Sequence, residues 1–180
     1  MPSQELPQEF RRQLDQAGLQ FTLPPGFGLT APIPNDSVAY HCAIALPEPK
    51  LEIRYHIVAL KREPLPAGFT SVASVNLNAM HDTYLAALIY NVADRVLADP
   101  NPLPTEAVQA EFNANRGAIC RLVLKPDAFS AGFNECMLLA LHRDDLADVY
   151  IFYMFDKFEQ VAEVMGNNFH TLTFAKGNEQ

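Results

Sequence analysis

The sequence predicts a layered α+β domain, an α/β/α sandwich around a mainly antiparallel sheet, and three observations lead there. Two consecutive strand patterns, 135–142 and 148–155, are apolar on both faces. Met137, Leu139 and Leu141 alternate with Cys136, Leu138 and Ala140, and Ile151, Tyr153 and Phe155 alternate with Tyr150, Phe152 and Met154. An open antiparallel sheet would show polar residues on one face, so these strands must be covered twice. Several other segments carry apolar residues at helical spacing and can supply that cover. A length of 180 residues suits one domain that buries well over half of its unfolded surface.

The elements follow in order. Leu6, Phe10, Leu14 and Ala17 lie at helical spacing ahead of Gly18, which predicts an amphipathic helix over 6–17. A short strand over 19–23 ends at Pro24-Pro25-Gly26, and the proline-punctuated stretch to Ser37 reads as a loop. Strands over 38–46 and 51–60 flank Pro47-Glu48-Pro49-Lys50 as a hairpin. A long helix capped by Thr70 or Ser71 should run to about Leu97, with Leu77, Met80, Tyr84, Leu85, Leu88, Val92 and Val96 along its stripe. A linker over 98–104 carries three prolines and leads to a short helix over 105–113, then to a strand over 118–125. After the two doubly apolar strands come a helix over 156–165 and a closing strand over 171–175. The whole reads as a single domain over 1–180, with an N-terminal helix (1–18), the α+β sandwich (19–175) and a short tail (176–180).

Composition narrows the function classes. Twenty-one acidic against 13 basic residues give a net charge of −8, which disfavours nucleic acid, because affinity for phosphate rests on Lys and Arg. No apolar stretch reaches the length of a membrane span, and residues 1–18 lack the apolar core of a secretory signal. A cytoplasmic protein with no membrane partner is the expectation. Cys42, Cys120 and Cys136 are too few and too scattered for a zinc cluster and read as reduced core residues. No nucleophile elbow, phosphate-binding glycine loop, helical zinc motif or calcium loop is found, so no catalytic residue, metal ligand or cofactor is assigned.

Three places remain where a function could sit. If the first hairpin is symmetric about its turn, His41 faces His56, Ala43 faces Arg54 and Ala45 faces Glu52. That gives a polar sheet face of His41, His56, Arg54 and Glu52, which is either an ordinary half-exposed surface or an acid-base or anion-binding site. His81 shares the stripe of the long helix and reads as packed under a loop. His142, His170 and the acidic turn residues Asp144, Asp145 and Asp148 read as surface groups. Finally, Phe27 in the first loop, and Phe129 and Phe133 around Ser130-Ala131-Gly132, either fold back over the core or present anchors to a partner.

The element order resembles the Mog/PsbP-like superfamily, including the bacterial DcrB-like proteins. The segment Phe21-Thr22-Leu23-Pro24-Pro25-Gly26-Phe27 is similar to an opening common in that superfamily, and Thr171-Leu172-Thr173-Phe174 is similar to its closing strand. The resemblance covers 21–174 and rests on order and ends rather than on a diagnostic motif. It implies a non-catalytic binding, adaptor or chaperone-like domain whose partner is another protein, with a homodimer through a sheet edge or helix face as one form. The alternatives are an enzyme acting on a small molecule, or through a metal, at the His41/His56 face, and a structural subunit of a larger assembly.

Overall fold

In the computed structural model, which describes residues 5–60 and 76–176, the chain builds a seven-stranded sheet and a two-stranded sheet with four α-helices. The first helix, α1 (Gln8–Ala17), ends where Gly18 takes the left-handed conformation, φ 62°, and returns its N–H to the last turn. Strand β1 (Leu19–Phe21) pairs antiparallel with the closing strand β9 (Leu172–Phe174), so the two ends of the domain meet in the small sheet. A short strand, β2 (Gly28–Thr30), lies inside what reads as a loop and adds an edge to β3 (Cys42–Leu46). The hairpin of β3 and β4 (Leu51–Ala59) has the expected register, with Ala43 opposite Arg54 and Ala45 opposite Glu52.

The long helix is shorter than its stripe suggested. A 3-10 turn over Leu77–Met80, capped by the Asn76 side chain, runs into α2 (His81–Val92). The proposed caps Thr70 and Ser71 lie outside the described residues. At Ala93 the backbone turns extended, and Ala93–Pro102 forms β5, where the sequence had suggested the end of a helix and a linker. Pairing with β6 selects the extended backbone from Ala93, and an edge strand tolerates Pro100 and Pro102 because its outer N–H groups have no ladder partner. Helix α3 (Thr105–Phe112) follows, and then β6 (Arg116–Leu124), β7 (Glu135–Arg143), β8 (Ala147–Phe155) and α4 (Phe158–Asn167). The large sheet is antiparallel throughout, in the order β2-β3-β4-β8-β7-β6-β5.

Two cores lie on opposite sides of this sheet. Odd-numbered residues of β4 and β8 (Ile53, Tyr55, Ile57, Ile151, Tyr153, Phe155) pack under α1, α3, α4 and the small sheet, which contribute Phe10, Leu14, Phe112, Val161 and Phe174. Even-numbered Tyr150, Phe152 and Met154 of β8, with Leu138 and Ala140 of β7, pack under Leu85, Leu88 and Val92 of α2. The sandwich is therefore asymmetric. Among the described residues, three helices cover one face, whereas a single helix and the loops bearing Val38, Tyr40, Phe129 and Phe133 cover the other. No helix among the described residues is long and apolar enough to cross a membrane.

Two tyrosines in the first core test how polar groups are tolerated there. The Tyr55 hydroxyl shares a 2.8 Å hydrogen bond with Thr171 Oγ1, while the fully buried Tyr153 hydroxyl has no partner among the described residues. A buried hydroxyl without a partner keeps its desolvation cost and gains nothing. Urea unfolding should therefore show Tyr55→Phe losing about 1 kcal/mol, and Tyr153→Phe unchanged or more stable by up to about 1 kcal/mol.

Candidate functional site

The even-numbered face carries the polar residues, arranged in cross-strand rows. One row is Val58, Asp148 and His142; the next is His56, Tyr150 and Ala140; the third is Arg54, Phe152 and Leu138. Helix α2 lies over the end of the sheet formed by the first two rows and adds His81 and Tyr84.

At the first row three elements converge. His81 Nδ1, from the first residue of α2, is 2.7 Å from Asp148 Oδ1, and His142 Nδ1, from the end of β7, is 2.6 Å from the same oxygen. His81 and Asp148 are 2% exposed and His142 is 0% exposed. The two imidazole rings lie 5.1 Å apart, and the Tyr150 ring stacks on His81 at 5.8 Å with its hydroxyl 3.4 Å from His81 Nδ1. His142 Nε2 is 2.9 Å from Asp144 Oδ1, so this ring has a carboxylate at each nitrogen. Burial opposes a charge on His142, yet the hydrogen bonds to Asp148 and Asp144 outweigh it and hold the pKa above its ordinary value. For Asp148, burial likewise favours the neutral form, and the bonds from His142 and His81 reverse the balance and lower the pKa.

The start of α2 is clamped onto the β7–β8 turn, which keeps this geometry in place. Asn78 Nδ2 donates to Asp145 Oδ1 at 2.9 Å, the Asp145 N–H donates back to Asn78 Oδ1 at 2.9 Å, and Arg116 Nη2 donates to the Asn78 carbonyl. Asp145 takes a φ of 60° at the middle of the three-residue turn 144–146, which sets His142 opposite Asp148. Among the described residues, His81, His142 and Asp148 are the group of His, Cys, Asp or Glu side chains whose ligand-type atoms all lie within 4.8 Å of one another. Two imidazoles and a carboxylate can share protons or hold a divalent cation.

The second row continues the polar seam. His56 Nδ1 lies 2.8 Å from the Ala39 carbonyl, an acceptor only, so this nitrogen carries the proton and Nε2 accepts from the Tyr84 hydroxyl at 2.8 Å. His41 stacks on His56 with centroids 5.5 Å apart and planes within 8°, while its Nδ1 accepts from the Ile57 N–H. The pairing expected from sequence is present. However, both His56 nitrogens are already engaged, so the two rings do not converge on a common point.

The third row holds Arg54, whose side chain is fully buried. Nε donates to Glu52 Oε1 at 2.6 Å, Nη1 donates to the Phe129 carbonyl, and the guanidinium lies 5.0 Å from the Tyr40 ring and 5.1 Å from the Phe129 ring. Nη2 has no partner. Of the hairpin face expected to be half exposed, Arg54 and His56 are interior, because the 127–133 loop and the Tyr40 segment fold over them, while His41 and Glu52 are half-buried. Phe27, Phe129 and Phe133 are buried, at 8%, 1% and 8% exposure, and serve as cover rather than as exposed anchors.

His142 and Asp148 correct the sequence reading most sharply, since both were expected at a solvated hairpin tip and both are buried. A signal was present. Each is a polar residue on the even face of a strand otherwise apolar on that face, and a polar group placed there requires a partner. Only Asp144, Asp145 and the half-exposed His170, bonded to Glu111 at 3.0 Å, lie at the surface as expected. Cys42, Cys120 and Cys136 are free and buried.

The face also has an open end. β5 is the last strand of the large sheet, and between it and the C-terminal half of α2 lies a shallow groove lined by Ile89, Tyr90, Ala93, Val96, Arg95 and Lys125. No protein-family model matches the chain, and no curated protein and no solved structure shows significant similarity to it.

Burial drives the His56 pKa down to about 4 from an ordinary 6.5, with His41 adding to the effect and the bond to Ala39 opposing it. A depressed folded-state value means that His56 favours the folded form above pH 6.5 and withdraws that support as pH falls toward 4. NMR titration of the imidazole should place its midpoint near 4, and the His56 contribution to stability should fall by about 3 kcal/mol across that window. A midpoint near 6.5 would show that the ring is not buried as described.

Proposed function

We propose that the domain is a non-catalytic protein-binding module whose contact face is the groove between α2 and the edge strand β5. One observation carries this reading. Five large hydrophobic side chains are more than a third exposed among the described residues; two of them, Tyr90 and Val96, line this groove, and Leu97 follows next in β5. Tyr90 is 79% exposed. Clustered exposed apolar groups are characteristic of interaction sites, whereas scattered ones are ordinary.

Edge strands are usually guarded against unwanted pairing. Pro100 and Pro102 protect the far half of β5, and its ladder with β6 shifts register between Ala93 and Arg95, Val96 and Ala98, and Ala98 and Asn101. Residues 93–98 contain no proline, and all from Asp94 onward are exposed. An extended segment can add to this stretch by main-chain hydrogen bonds and rest an apolar side chain against Tyr90 and Val96. Arg95 has no ion-pair partner among the described residues, so a carboxylate on the incoming segment would complete the contact. The occupant is thus an extended apolar peptide segment carrying an acidic residue. The order of elements that resembles the Mog/PsbP-like superfamily supports the same class, because that resemblance implies partner binding rather than catalysis.

Fluorescence anisotropy with a panel of peptides alternating apolar and acidic residues should find binders. Tyr90→Ala should weaken them roughly 30-fold, the effect of losing a contact worth about 2 kcal/mol. Stability should change by less than about 0.5 kcal/mol, because the ring is exposed. Binding that Tyr90→Ala and Val96→Asp leave untouched, or a panel without binders, would sink the proposal. Concentration-dependent dimerisation abolished by the same variants would instead make the occupant a second copy of the chain.

A further inference from the structure

The geometry points to a closed divalent-metal site formed by His81, His142 and Asp148, with Zn2+ or a chemically similar transition cation as the ligand. It is separate from the α2–β5 groove and does not depend on it.

The donor set comes first. Two imidazole nitrogens and one carboxylate oxygen suit borderline divalent transition metals rather than Ca2+ or Mg2+, which take oxygen ligands. The three donors come from three elements, the start of α2, the end of β7 and the start of β8, and the antiparallel register sets His142 directly opposite Asp148. Their donor atoms already lie within 4.8 Å of one another, with both Nδ1 atoms at 2.6–2.7 Å from a single Asp148 oxygen. A tetrahedral ion about 2.0–2.2 Å from each ligand would spread neighbouring donors to roughly 3.3 Å, an adjustment within reach of side-chain rotation.

The outer shell is the second argument. A metal-bound histidine ordinarily donates its other ring N–H to a carboxylate or carbonyl, which fixes the tautomer and aims the free nitrogen at the ion. Asp144, 2.9 Å from His142 Nε2, stands in that position. The Tyr150 hydroxyl, 3.4 Å from His81 Nδ1, can complete the coordination or bond to an included water.

Charge is the third. With both histidines neutral, a divalent ion would offset the buried Asp148 carboxylate, with the half-exposed Asp144 and the nearby Arg116 adding smaller opposing charges at the rim. The three ligand residues are at most 2% exposed, so the ion would act as a staple between α2 and the sheet rather than as an open catalytic centre.

The test uses the full chain, purified without a histidine tag, stripped with a chelator and reloaded with Zn2+ or Co2+. Elemental analysis should find one Zn2+ per chain after dialysis. Saturating Zn2+, at about 100-fold over Kd, should raise the Tm by roughly 5–10 °C. Co2+ should give visible d–d absorption. Asp148→Asn and His81→Gln should each lose stoichiometric retention and the Tm shift, whereas His41→Gln should keep both. If a variant does not fold, the Co2+ spectrum of the unsubstituted protein decides, with its absence counting against the site. Retention of Zn2+ in both ligand variants, or no retention and no Tm shift in the unsubstituted protein, overturns the inference and leaves a hydrogen-bonded staple.

Discussion

Strand β8 sets the terms for the rest of the molecule. Its nine residues, Ala147–Phe155, are all buried, and side chains that alternate between two faces cannot all leave water unless both faces are covered. Burying a Val, Leu, Ile, Phe or Met side chain is worth about 1.5–3 kcal/mol, so leaving one face of this strand open would forfeit an amount comparable to the whole net stability of a domain. The central position of β8, between β4 and β7, follows from the same demand, and so does the placement of helices on either side.

The two covers are unequal, and the chemistry collects beneath the thinner one. On the face with three helices, the polar groups of the core are few, chiefly the Tyr55–Thr171 pair and the lone Tyr153 hydroxyl. On the other face, the helix and two loops among the described residues leave the sheet to accommodate Arg54, His56, His142 and Asp148. Burying such groups is tolerable only when they bond to one another, and here most of them do. Helix α2 joins the two regions singled out above. Its first residue, His81, is tied to Asp148 inside the protein, and near its other end Tyr90 stands in solvent beside β5.

Much of this architecture was legible in the chain. The doubly apolar alternation of β7 and β8 announced a central position, and the turn between Leu46 and Leu51 gave the register that stacks His41 on His56. The end of α2 was not legible, because Val96 continues the helical stripe of Leu85, Leu88 and Val92 and only the partner strand β6 selects extended backbone from Ala93. The candidate centre was half legible. Asp145 at φ 60° sets His142 opposite Asp148 by local turn geometry, yet His81 comes from 61 residues earlier and no spacing connects it to them.

The sequence by itself determined the elements whose causes are local: periodicity, glycine and proline punctuation, and hairpin register. It determined as well that the sheet must lie in the middle of a sandwich, since alternation shows on its own which faces need cover. Only the tertiary structure decided what covers each face. That choice buried Arg54 and His56 of the first hairpin's polar face, brought His81 to the His142–Asp148 pair, and left Tyr90, Val96 and Leu97 exposed. The physical reason is that burial is a property of the neighbours a residue acquires, and those neighbours are distant in the chain.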